Sequence, residues 1–228
     1  MKGSTIISPE RDRGILSRVR TLANDKGIDP SKVQPSYLRI ATLLDPSKST
    51  YDFLVRKDVG GSLAHDVKLD QNDSFVMSKM GIMLLGEDPT KPGTGLLQSY
   101  PNNLVFAAEA GNVSPLHLNT LYNGSIKVKV DDRVFAEAIP TNPMFAARTT
   151  QQASATTFSE RFLDDGLIEL TPDITLNGSK KNEITLKVPT FAGLQVQYIT
   201  AATRIYAVFY AKGFLIIGGS NLGGLSNQ

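Results

Sequence analysis

Few residues in this 228-residue chain are of the types that chemistry needs. There are two histidines, His65 and His117, and no cysteine. Thiolate catalysis, disulfides and thiolate metal sites are therefore excluded. "LAHDVKLD" sets His65 beside Asp66, but neighbours on a strand point to opposite faces, so the two are not preset for proton transfer. A Ser-His-Asp triad needs no closeness in sequence, yet the chain has no Gly-x-Ser-x-Gly elbow to present a serine. Carboxylates come in pairs at Glu87-Asp88, Asp131-Asp132 and Asp164-Asp165. Such pairs can bind calcium or cleave glycosides. Each of these stands in turn-compatible sequence, where Asp is common for its local hydrogen bonds, and the turn reading is preferred. "DQND" (70–73) opens like a calcium loop but lacks the Gly and the distal Glu. Neither "GGSNLGG" nor "KPGTG" has the Lys-Ser/Thr of a phosphate loop. The residues thus assign no catalytic set, no metal and no cofactor, and the chain reads as a non-enzyme.

One group of charges stands out. Arg11, Arg13, Arg18 and Arg20 fall within ten residues near the start. Residues 1–60 hold 11 Lys/Arg against 7 Asp/Glu, whereas the remainder holds 13 against 15. The net charge of +2 is too small to imply a polyanion partner for the protein as a whole. The four arginines are candidates for contact with nucleic acid or with a neighbouring subunit.

Those arginines lie on a predicted helix. Ser8 suits an N-cap, Pro9 the first helical position, and Glu10 the positive end of the dipole. Ile15, Leu16, Val19, Leu22 and Ala23 recur at helical spacing and form one apolar stripe. Arg13 and Arg20 lie a heptad apart on the opposite face with Ser17 and Asn24, and Gly27 ends the helix.

Beyond Gly27 the pattern turns to strands. "YLRIATLL" (37–44) suits a strand or a short helix. "TYDFLVRK" (50–57), "DSFVMSKMGIMLL" (73–85, bent at Gly81) and "NLVFAAE" (103–109) read as strands. "GEDPTKPGTG" (86–95) is an exposed loop. Ile126, Val128 and Val130 alternate with Lys127 and Lys129, and a second run starts at Arg133, so Asp131-Asp132 looks like a hairpin turn. A two-residue turn there sets Val130 against Arg133, Lys129 against Val134 and Val128 against Phe135. Residues 140–157 read as a loop anchored by Met144 and Phe145. Residues 173–189 read as a second hairpin with Asn177-Gly178 at its tip. "LQVQYIT" (194–200) and "RIYAVFYA" (204–211) are strands, with Lys212-Gly213 turning the latter back onto "FLII". Ile205–Phe209 is apolar on both faces and belongs inside a sandwich. "MKGSTIIS" has no apolar core for a signal peptide, and the apolar run 205–217 is too short to span a bilayer as a helix. About ten strands with one helix predict a mainly β, antiparallel sandwich. The expected divisions are a helical arm and connector at 1–35, a sandwich domain at 36–217 and a Gly-rich, flexible tail at 218–228.

The stretch "HLNTLYNGSIKVKVDDRVFAEAIPTNPMFAARTTQ" (117–151), with "LDQNDSFVMSKMGIMLL" (69–85) and "SYPNNLVF" (99–106), resembles β-rich capsid and other virion structural proteins of bacteriophages that infect Bacteroidetes. The likeness covers about a third of the chain and rests on packing and turn residues. It implies a single jelly roll that self-assembles, as trimers or pentamers and with other virion proteins, into or onto an icosahedral capsid, made in the host cytoplasm. The major coat role is favoured over a minor, vertex or decoration role. It also implies terminal arms that reach over neighbours or face packaged nucleic acid. No catalytic residue, cofactor or small-molecule substrate comes with it. Two other classes stand beside it. One is a carbohydrate-binding or adhesin-like β-sandwich, disfavoured by the absence of Trp. The other is an enzyme on a jelly-roll scaffold, for which two histidines are too few to build a His-rich metal centre.

Overall fold

A computed structural model describes residues 9–45, 48–58, 60, 63–88, 90–95, 97–101, 115–146, 166–189 and 204–221. The chain is a two-sheet antiparallel β-sandwich with one N-terminal helix. Helix α1 spans Pro9–Asp25. The strands are β1 (Val33–Leu43), β2 (Thr50–Leu54), β3 (Ser74–Glu87), β4 (Leu97–Gln98), β5 (Ser125–Val130), β6 (Arg133–Pro140), β7 (Ile168–Asn177), β8 (Asn182–Lys187) and β9 (Arg204–Ile216).

The first sheet runs β1-β9-β3, with β7 and the two-residue β4 both on the far side of β3. The second runs β2-β8-β5-β6. The pairing is nested. The ribbon at Asp131-Asp132 is the innermost pair, β5 with β6. Outward from it β3 meets β7, β2 meets β8, and β1 meets β9. These four pairs nest around Asp131-Asp132, and the two-residue β4, which pairs with β3, falls outside the nest.

Burial follows from that arrangement. β5 alternates, with Ile126, Val128 and Val130 inward and its lysines outward, as expected for a sheet with one wet face. β3 is buried along almost its whole length. Its inner side chains Phe75, Met77, Met80, Ile82 and Leu84 meet the second sheet, while its outer face lies under α1 at one end. Ile205–Phe209 of β9 is buried on both faces, as the sequence implied. The rings of Phe53 on β2 and Phe209 on β9 lie 5.7 Å apart and join the two layers.

The helix packs on the outside of the first sheet. Ile15, Val19 and Ala23 meet Val33, Val76, Phe214 and Ile216. The helix stops where Gly27 takes φ +74 and the Ile28 N–H returns to the Ala23 carbonyl. That stop lets Ile28 fold back onto the same apolar cluster.

Several expectations need correction. The 173–189 segment is not a hairpin, because β7 joins the first sheet and β8 the second. Lys212-Gly213 does not turn the chain, and β9 runs straight through it. Gly213 is needed there for closeness, since a Cβ would stand 1.9 Å from the Val76 carbonyl oxygen. The irregularity in β3 falls between Met77 and Lys79 rather than at Gly81. "YLRIATLL" is strand, and β1 begins at Val33, so the 35/36 boundary cuts through it. The boundary after 217 is not sharp, because Ser74 Oγ donates to the Gly219 carbonyl and Asn177 Nδ2 to that of Ser220. Met144 is buried as expected, but Phe145 is 41% exposed. Val130↔Arg133 and Lys129↔Val134 pair as expected, yet Val128 meets Ala136 rather than Phe135. Two one-residue shifts give β6 two extra residues, and these bulges bring Phe135, Ala136 and Ile139 against the core despite the broken alternation. Ser8 and the segments 103–109, 147–157, 194–200 and 222–228 lie outside the described residues.

Candidate functional site

The four arginines separate into two pairs. Arg11 and Arg18 turn towards β7. Arg11 lies 2.6 Å from Glu169 and donates to the Leu170 carbonyl at 2.6 Å. Arg18 pairs with Asp173. Burial pushes the Asp173 carboxyl above the ordinary carboxylate value, and the two guanidiniums oppose that rise. Glu169 also faces the buried Lys79 at 3.8 Å. These two arginines therefore latch the helix to its own sheet, while the Arg18 side chain stays 68% exposed. Arg13 and Arg20 are exposed. No hydrogen bond or ion pair joins either to another described residue.

The carboxylates do structural work. Asp66 is half-buried, and its two oxygens accept the N–H groups of Ala41 and Leu63. It pins the turn before β3 to the edge of β1, and its neighbour His65 is exposed. Burial pushes its carboxyl up, against the pull of those N–H donors. Glu87 accepts from the Gly93 N–H and Asp88 from Thr90. Asp73 accepts from the Gly218 N–H, and its carbonyl from that of Gly178. "DQND" is thus a corner where the ends of β7 and β9 meet. Asp131 accepts from the Lys181 N–H at 2.9 Å and pairs with Lys180 at 3.1 Å. Among the described residues no three His, Asp or Glu side chains converge as a metal site. Asp164-Asp165 and the side chain of His117 are outside the described set.

One feature escaped the sequence reading. On the outer face of the first sheet, beside α1, Tyr37 and Tyr210 stack with centroids 5.5 Å apart. They border a groove of about 300 Å³ with Asp12, Lys79, Lys212 and Phe214. The signal was present in β9, where Tyr206 and Tyr210 occupy outward positions, but the partner Tyr37 sits 173 residues away.

No family model matches the chain, and neither a curated protein nor a solved structure matches it.

Proposed function

We propose that the nested strand order makes this chain a single jelly roll and that the roll is a self-assembling coat subunit of a phage virion. The strand order carries the reading: the two sheets run β1-β9-β3-β7, with the two-residue β4 also on β3, and β2-β8-β5-β6, the plan of rolls used in capsids and lectins. A fold alone does not choose between those uses. The choice is supported by the resemblance of residues 69–151 to virion proteins, and by carboxylates occupied with turns and corners. It is supported as well by the flanks. Tyr37 and Leu43 on β1, Leu54 on β2 and Val134 on β6 are large apolar residues exposed by 41–44%. All three strands are sheet edges, where copies of the chain can abut.

Light scattering of the purified chain at rising concentration tests this. The expected result is a mass of many subunits, and a monomer throughout sinks the proposal.

A second reading, a glycan-binding module, draws on the stacked Tyr37–Tyr210 pair beside Asp12 and two lysines. Reproducible hits on a glycan array that vanish in Tyr37→Ala, on a chain that stays monomeric, would replace the first reading with this one.

A further inference from the structure

We infer that the groove beside the Tyr37–Tyr210 stack is a binding site for a small ligand built of one ring that carries a carboxylate. The site stands independently of the coat-subunit reading. It shares its groove with the glycan reading and restricts that groove to acids.

Three observations converge on it. First, two ammonium-bearing side chains oppose each other in the groove. Lys79 on β3 and Lys212 on β9 are direct cross-strand partners, and Lys212 is in turn the partner of Tyr37 on β1. The three side chains therefore stand in one row on the outer face of the first sheet. Like charges directly opposite each other destabilise a sheet, and an anion lying over the pair offsets that repulsion.

Second, the fold brings Lys79 to this row by an irregularity. Phe75 and Met77 face the core, and so do Met80, Ile82 and Leu84. The one-residue shift between Met77 and Lys79 changes the parity of β3 between these two sets. Without it Lys79 would oppose Ala211 and point into the core. With it a buried lysine lines the outer groove instead, which is the re-aiming that bulges provide.

Third, charge and walls agree on the ligand. Among the described residues the lining holds two lysines and one carboxylate, Asp12, so its balance is positive. Glu169, 3.8 Å from Lys79, is matched by Arg11 at 2.6 Å. Pro35, Tyr37, Tyr210 and Phe214 make the walls largely apolar, and Tyr37 is 43% exposed, so it offers ring surface for stacking. About 300 Å³ is at the lower end for small-molecule sites and suits one ring. A ring against the tyrosines and a carboxylate over the lysines use both halves of the groove, whereas a bare inorganic anion leaves the apolar walls wet. Aromatic acids and sugar acids share this chemistry.

The test uses the full chain and saturation-transfer difference NMR. The probes are phenylacetate and glucuronate, with phenylacetamide and methyl glucoside as neutral counterparts. At least one acid is expected to bind saturably, about tenfold more tightly than its neutral counterpart. Tyr37→Ala should weaken that binding about tenfold. Lys212→Gln should weaken it by about the same factor yet melt no lower than the wild type, because it removes the like-charge pair. Lys212→Arg, which keeps the charge, should retain binding, and Lys127→Gln, on the second sheet, should bind as the wild type does. The acid that binds identifies the source. The inference is overturned if neither acid binds, if the neutral counterparts bind as well as the acids, or if Lys212→Gln binds like wild type. Light scattering of the same samples separates the proposals. Particles that bind neither acid defeat this inference alone. A persistent monomer that binds an acid through Lys212 defeats the coat-subunit reading alone.

Discussion

Asp131 shows how much a single side chain does at the turn of the innermost strand pair, β5 with β6. Its backbone takes φ +51, a conformation few residues other than Gly accept. Its N–H and one carboxylate oxygen both bond to Lys181, which ties the β5–β6 turn to the connection between β7 and β8. The Lys181 N–H and the Lys180 ammonium hold the Asp131 carboxyl below its ordinary value of 3.8. A carboxyl lowered in the folded state adds stability that is complete above the unfolded value and lost as pH falls through the folded one. Asp131→Ala should therefore lower stability at neutral pH, with about 1 kcal/mol from the backbone alone, and the deficit should shrink below pH ~4. Asp131→Gly should recover the backbone share but not the pH dependence. Urea unfolding at several pH values checks both. The arginines teach a different lesson at this scale. That Arg13 and Arg20 share an outward face was legible from their heptad spacing. That Arg11 and Arg18 pair with β7 was hidden, because the acids they meet lie 155 residues or more away.

At the scale of elements, glycine separates helix from sheet. A Cβ added to Gly14 meets nothing within 4 Å, so Gly14→Ala should stabilise the protein by about 0.5–1 kcal/mol through helix propensity. A Cβ added to Gly213 meets the Val76 carbonyl oxygen at 1.9 Å. Gly213→Ala should push β3 from β9 and cost about 1–3 kcal/mol. Opposite shifts in thermal midpoint for the two variants confirm the assignment, and shifts of the same sign refute it. Period carried α1 and most strands, because one-sided burial writes itself into the sequence. Turn chemistry misled where it could say that the chain bends but not to which layer it goes. Asn177-Gly178 does bend the chain, yet it carries it from one sheet to the other, with the Asn177 side chain bound to Ser179 and Ser220. Gly213 looked like a turn for the same reason, although its role is close approach at the β3 irregularity.

For the whole molecule, the nested order β5–β6, β3–β7, β2–β8, β1–β9 was legible only in its innermost pair. The outer pairs join residues far apart in the chain, and no local pattern encodes them. A sandwich with a helix on one sheet and apolar residues on its edge strands has two different outer faces. The second sheet faces outward with ion pairs such as Lys127–Glu137 and Lys129–Glu183. The first carries α1, whose outward arginines stay uncommitted. That asymmetry suits a subunit with an inside and an outside. Negative-stain microscopy of the purified chain tests it most directly. The account predicts closed particles or rings of regular size, and a field of single 24.7 kDa molecules at every concentration and salt would contradict it.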